Sequence, residues 1–410
     1  MPSVVVVGGS LGGLTAALVL RDAGCDVRVF ERSASALQAR GAGIAALDAT
    51  LRYLTERGGC RPEDVCSHTD WIRFVRADGS IQHEQRHRYR FSSWNTIYQA
   101  LLGLFDRDRY LLGSEVVSFS GSDGSSRDDG LAHCDSLVCG DGLVCVTLAD
   151  RSRAQSDLLV CADGIGSMAR ARLLPEVEPA YSGYVAWRGT LPEASLSPSA
   201  RGALGDALTY QVLPSSHILV YPIPGLDGSC ALGDRLINIV WYVNVAAGPE
   251  LDRFMTGRDG VRRPVSLPPG LVGDEAVASL RSSAASLLAG PVAEAVTGLP
   301  EPFVQVIYDI EVPRMVFGPV CLIGDAAFAV RPHAAAGTAK AADDGWALAD
   351  ELTAASGDVT AGLAVWEQRQ LQVGRSLLAR TREIGDSSQL TGTFRPGDPR
   401  LIFGLHEPGR

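Results

Sequence analysis

The stretch VVVVGGSLGGLTAALVLRDAGCDVRVFER, Val4 to Arg32, decides the fold. Val4–Val7 is an unbroken β-branched run, the pattern of a strand covered on both faces. Gly8–Gly13 is a glycine-rich turn. Beyond it Leu14, Ala17, Leu18 and Leu20 recur at helical spacing up to Asp22, and Gly24 is placed to end that helix. Val27–Phe30 reads as a second strand, closing on Glu31. The three elements form a β-α-β unit, the kind whose first loop takes a dinucleotide.

The turn itself reads G-G-S-L-G-G. Against the fingerprint G-x-G-x-x-G, Gly8 and Gly13 match, and Ser10 stands where the second glycine belongs. That position lets backbone approach a pyrophosphate, and a serine hydroxyl can donate to a phosphate oxygen. The pyrophosphate would rest on the helix N-terminus, where free N–H groups favour anions. Glu31 lies 18 residues after Gly13, close to the spacing of the acid that accepts from ribose hydroxyls. A tight turn followed by a surface Glu is the plainer reading. Strand, helix, second strand and acid in register favour the dinucleotide.

Composition sets the bounds around that unit. The chain has 410 residues, 46% of them hydrophobic, enough for two domains or one large split domain. A net charge of −10 argues against nucleic-acid and anionic-membrane partners, which want a basic face. The opening MPSVVVVGG has no basic segment before its strand, so no secretory signal is expected, and no apolar run reaches bilayer length. Nine cysteines without C-x-x-C pairs read as reduced thiols of a cytoplasmic protein.

Downstream, Thr96–Phe105 looks helical. Glu115–Phe119, Val144–Leu148 and Leu158–Cys161 look like strands, and Gly121–Gly142 reads as a loose hairpin or partly mobile loop. Tyr184–Arg188, Ile218–Tyr221 and Ile237–Val243 alternate and carry aromatics, which predicts a mainly antiparallel second sheet forming a wall over a pocket. CLIGDAAFAVRPHAAAGTAKAADD, Cys321 to Asp344, is a buried strand, then Gly-Asp, then a helix of small residues starting near Ala335. Small residues there either pack tightly or leave the helix end open to a ligand. From Asp343 the chain reads as mostly helical to about Ile384.

Three motifs, in order, carry a resemblance: G-G-S-L-G-G with Glu31–Arg32; D-G-x-x-S-x-x-R at Asp163, Gly164, Ser167 and Arg170; and G-D-A-A followed by Pro332 and Gly337. The chain resembles the FAD-dependent aromatic hydroxylases of the single-component, para-hydroxybenzoate-hydroxylase type. Y-x-G-Y-V-x-W-R-G (Tyr181–Gly189), H-x-x-x-Y-P-I-P-G (His217–Gly225), W-Y-x-N-V-A-x-G-P (Trp241–Pro249) and R-P-H-A-A-A-G-x-A-K-A (Arg331–Ala341) place the likeness nearest the dihydroxypyridine hydroxylases within that family. Two departures stand out: Phe328 where many members have His after G-D-A-A, and no Arg on the helix near Trp94.

The resemblance implies an α/β fold, with a split FAD-binding doubly wound domain, a β-sheet substrate domain and a C-terminal helical segment. The expected boundaries are 1–180 (with a strand excursion near 71–92), 181–314, 315–355 and 356–410. It implies FAD contacts at Gly8, Ser10, Leu11, Gly13, Glu31, Arg32, Gly43, Ile44, Asp163, Arg170, Asp325, Pro332, Ala336 and Gly337. Asp325 would be buried but paired with ribityl hydroxyls, and the helix near Ala335 would face the flavin edge that carries negative charge when reduced. NADH or NADPH would reduce the flavin, and a C4a-hydroperoxide would deliver oxygen to an electron-rich ring. The substrate is then a small aromatic ring with O2, a hydroxypyridine in catabolism or in tailoring of a pyridinol natural product. The family's habit favours a homo-oligomer.

His333, beside Pro332, is the candidate base or relay, with a structural His bonded to backbone as the competing reading. Tyr221 either faces the ring or packs within its strand; His217 and Arg188 are further catalytic candidates. H-E-Q-R-H, His83–His87, matches a zinc-protease signature literally, but Asp78-Gly79-Ser80 before it and the alternating R-H-R-Y-R-F that runs on from it favour a strand or loop, so no metal is expected. Two alternatives remain: a flavoenzyme of the same fold performing dehydrogenation or oxidative decarboxylation, or an FAD-binding protein without turnover.

Overall fold

The computed structural model describes residues 1–35, 37, 43–120 and 142–410. Strand β1 (Ser3–Val7), helix α1 (Leu11–Asp22) and strand β2 (Asp26–Glu31) form the expected unit. β1 lies at the heart of a six-stranded sheet, with β2 parallel on one side and Leu158–Cys161 parallel on the other. The valines of β1 are buried in one core cluster with residues of α1 and of the strands Val116–Ser120, Val144–Leu148 and Arg153–Ser156. Val320–Leu322 continues the parallel order beyond Leu158–Cys161, and Tyr110–Leu112 closes the far edge beside β2.

Helix α1 starts at Leu11, three residues before the apolar periodicity, so Gly12 and Gly13 lie in its first turn. Their lack of a side chain is what allows this. A Cβ on Gly13 would stand 1.9 Å from the Gly8 carbonyl oxygen, and one on Gly12 would stand 2.9 Å from the Ala341 side chain. The latter belongs to the small-residue helix Gly337–Ala354, which packs on α1 closely enough that a Cβ on Gly345 would meet the Ala16 backbone at 2.8 Å. That helix begins two residues after the expected Ala335, because Ala335 adopts a left-handed φ of 51°.

A nine-stranded sheet forms the second layer: Ser266–Leu267, Phe303–Asp309, Ala180–Pro192, Leu236–Asn244, Ser216–Ile223, Ala207–Leu213, Ser67–Val75, Ile81–Ser93 and Gly43–Ala45, in that spatial order. All its pairings are antiparallel except that of Ala207–Leu213 with Ser67–Val75. Strand alternation gives the sheet two characters. Val185, Trp187, Val220 and Ile239 pack against helices on one face. Tyr184, Ala186, Tyr221 and Tyr242 line the other. The chain therefore visits the parallel sheet, crosses to the large sheet at 43–93, returns for Tyr110–Leu112 and Leu158–Cys161, crosses again for 180–309, and returns at Val320–Leu322.

H-E-Q-R-H lies in the strand Ile81–Ser93, with His83 against Phe74 at 6.0 Å between ring centroids. Val116–Ser120, Val144–Leu148 and Arg153–Ser156 make a small third sheet. The hairpin expected at Gly121–Gly142 falls, but for Gly142, outside the described residues. Helix Val359–Gln389 runs five residues past the expected Ile384 and leads into a C-terminal tail. The expectation of thiols throughout fails at Cys145, which is disulfide-bonded; Cys25, Cys60, Cys66, Cys161, Cys230 and Cys321 are free. No described helix is long and apolar enough to cross a membrane.

Candidate active site

Two adjoining cavities, of about 390 and about 430 Å³, share Ser10, Ile44, Trp94, Arg188 and Gln305 and form one cleft between the parallel and antiparallel sheets. The first is the nucleotide-like end. Gly8 turns there with φ +96°, and a Cβ on it would sit 2.4 Å from the Ala162 carbonyl oxygen, so the turn can pass this strand end only as glycine. Ser10 is the N-cap of α1, but its hydroxyl makes no capping bond, which leaves the hydroxyl and first-turn N–H groups to the cleft.

Glu31 is buried at the tip of β2. One carboxylate oxygen accepts from the Gly9 N–H at 2.9 Å, the other from the Ser33 N–H at 2.9 Å. It therefore braces the glycine turn as well as facing the cavity, with Arg32 beside it. Asp163 accepts from the Ala169 N–H at 3.2 Å through one oxygen; the other is buried without a partner. An orphaned buried carboxylate oxygen on a cavity wall calls for a donor from whatever fills it.

The second cavity holds Leu11, Gly13, Gly43, Asp325, Pro332 and Gly337 along one side. Asp325 opens onto the cleft floor, where Gly324 turns with φ +58°, in the place from which it would meet the cofactor's hydroxyls. Protein walls around it raise its pKa, opposed by Lys340 and Arg170. The Gly324 N–H is held by Asp344 at 2.8 Å, itself paired with Lys340 at 2.7 Å. Opposite stands the sheet: Leu219, Tyr221, Tyr242 and Ile307, with Arg188 and Gln305 at the junction of the two cavities. Arg188 donates to the Gln305 side-chain oxygen at 2.6 Å and to the Gly43 carbonyl at 3.1 Å. The Tyr221 hydroxyl donates to that same carbonyl at 3.0 Å, and burial pushes its pKa up to about 12 against the pull of Arg188.

Four sequence candidates lie off the cleft. Arg170 is buried behind it, donating to the carbonyls of Ile165 and Ala326, so it ties the second and third motifs together. Ala336 is buried beneath the helix start. His333 points away because the short turn Pro332–Ala334 puts Pro332 on the cleft and the next side chain behind it. Its Nε2 meets the Tyr184 hydroxyl at 2.7 Å, while Nδ1 has no partner. His217 lies 5.3 Å from it, with Nδ1 against the Ser388 hydroxyl. Burial, with His217 and Arg331 adding to it, holds His333 well below the usual imidazole range; burial alone brings His217 to about 3. Both rings pack against Tyr242 and neither lines the cleft. Trp94, Gln305 and Phe403 were missed; a lone Gln in the apolar strand FVQVIYD was the signal available for one of them.

The residues fit FAD. The glycine cradle admits only backbone, the α1 N-terminus accepts an anion, Glu31 and Asp163 offer acceptors at the nucleotide end, and Asp325 offers a free carboxylate further along. Family profiles described as FAD binding domain and FAD binding domain-like match residues 1–62 and 181–309. The chain is 38% identical to 2,6-dihydroxypyridine 3-monooxygenase of Paenarthrobacter nicotinovorans, over 98% of this chain and 95% of that protein. It superposes on the structure of 2,6-dihydroxypyridine-3-hydroxylase from Arthrobacter nicotinovorans with a TM-score of 0.89 at 36% identity, covering 100% of this chain and 98% of that one. It is also 26% identical to 3-amino-4-hydroxybenzoate 2-monooxygenase of Streptomyces cremeus, over 94% of this chain and 88% of that protein.

Proposed function

The chain belongs to the class A FAD-dependent aromatic hydroxylases, and we propose that it hydroxylates a hydroxypyridine-type ring in the cytoplasm, with NADH or NADPH as reductant. The observation that carries this reading is 38% identity along almost the whole chain to an enzyme of that name, combined with a cleft whose donors and acceptors suit both FAD and a flat ring. FAD, when bound, supplies the reductive activation of dioxygen.

The protein's part is binding and electrostatics. The α1 N-terminus and Ser10 take the pyrophosphate, with Glu31 bracing their turn. Asp163 and Asp325 accept hydrogen bonds from the cofactor's hydroxyls. Tyr221, Leu219, Ile307 and Tyr242 make a flat, largely apolar wall that orients a ring and keeps water from the reacting edge. Arg188 is a fixed positive charge on that wall, and it favours the ring hydroxyl in its deprotonated form, which is the more electron-rich nucleophile.

Purified yellow protein tests this. Oxidation of NADH or NADPH strongly stimulated by a dihydroxypyridine, with one oxygen added to the ring by mass, is the expected result. Oxidation yielding only peroxide removes the pyridine assignment. Protein without FAD removes the flavoenzyme reading.

A further inference from the structure

Phe403 lies on the C-terminal tail, far in sequence from every motif above, yet its ring lines the substrate end of the cleft. The same ring lines a separate cavity of about 570 Å³ on the far side, walled by Leu47, Leu51, Arg52, Tyr89 and Leu405. Among the described residues Phe403 alone is common to the two linings. It is only 4% exposed and firmly held. Its N–H donates to the Tyr89 hydroxyl at 2.8 Å, and its ring packs 4.8 Å from Tyr89 and edge-on to Phe91, which stacks on Tyr221 at 4.1 Å. The next residue anchors the tail to the helix-start turn: the Gly404 N–H donates to the Ala334 carbonyl at 3.2 Å, and its own carbonyl accepts from Arg380.

We propose that Phe403 is a specificity-determining residue, a partition between the ring-binding cleft and the cavity beyond it that limits the size of substituent the ring can carry on that side. The inference rests on the cleft being the ring-hydroxylation site. Phe403 closes the space between the Tyr221 wall and the Ala334–Ala335 turn, so a ring with an added alkyl chain meets it directly. Shortening the side chain joins the two spaces, and the added volume gives a longer substituent room between Leu47, Leu51, Tyr89 and Leu405 on one hand and charged residues such as Asp48, Arg52, Glu56 and Arg90 on the other. Accommodating or refusing even part of such a chain is worth roughly ten-fold in discrimination.

The test uses the FAD-loaded full chain as wild type, Phe403→Leu and Phe403→Ala. The probes are a dihydroxypyridine and its propyl-substituted homologues. Binding is read from the perturbation of flavin absorbance and turnover from hydroxylated product; FAD content and melting temperature establish folding. The expected result is a rise in the preference for the propyl ring over the bare ring, by about ten-fold for Phe403→Ala and less for Phe403→Leu. A merely structural role lowers binding and turnover of both probes together and leaves the ratio unmoved. That outcome, in variants that keep FAD while the wild type hydroxylates the bare ring, overturns the partition alone. A wild type that neither binds nor hydroxylates the bare ring overturns the site assignment and the partition with it.

Discussion

The two ends of the cleft are built in opposite ways. The nucleotide end is backbone: Gly8, Ser10 and Gly13 sit within one turn, and Glu31, from the next strand, holds that turn through the Gly9 N–H. The ring end is side chains, drawn from Ala180–Pro192, Ser216–Ile223, Leu236–Asn244 and Phe303–Asp309, with Phe403 from the tail. At Gly8 and Gly13 the backbone site tolerates almost no change, because an added Cβ meets another main chain. A site made of side chains can be retuned one residue at a time without disturbing the cofactor.

Substitutions that test this contrast differ widely in size. Gly13→Val has the largest expected effect, since even its Cβ would lie 1.9 Å from the Gly8 carbonyl; we expect colourless or insoluble protein, against unaltered FAD absorbance if the turn can yield. Arg331→Met comes next. Arg331 donates to Asp309 through two nitrogens and to Asp386 at 2.7 Å, behind the ring end. Removing it leaves the buried Asp309 with Arg382 as its remaining ion-pair partner and frees the half-exposed Asp386, and denaturant titration should show a loss of about 2 kcal/mol. Tyr221→Phe is smallest: losing the hydrogen bond to Gly43 should cost about 1 kcal/mol of stability and shift the KM for the ring more than FAD affinity.

Between these lies a pH effect. His217 has a folded-state pKa of about 3, below the roughly 6.5 of an unfolded imidazole. Below that unfolded value the unfolded chain binds a proton the folded chain refuses, so stability is full above it and falls as pH drops toward the folded value. The slope is up to about 1.4 kcal/mol per pH unit for each such histidine. His217→Gln should flatten the acid limb of a stability profile, and a limb as steep as wild type would place the titration elsewhere.

Legibility in the sequence followed the same division. Contiguous patterns declared themselves: the β-branched run, the glycine turn, the acid after β2 and the Gly-Asp after Val320–Leu322 all sit where periodicity and spacing put them. Which side chain faces the cleft did not. His333 is next to Pro332 in sequence, yet one short turn sends the two to opposite sides of a wall. Arg170 belongs to a motif but bonds carbonyls behind the cleft. Gln305 and Phe403 reach the site only through the register of distant strands and the docking of the tail; the lone Gln in FVQVIYD is the one local sign, and Phe403 leaves none.

The account stands most directly on where the inserted oxygen comes from. Turnover of a dihydroxypyridine under isotope-labelled dioxygen, with product read by mass, should place one labelled atom on the ring. An unlabelled product, or labelled peroxide with an unchanged ring, would contradict it.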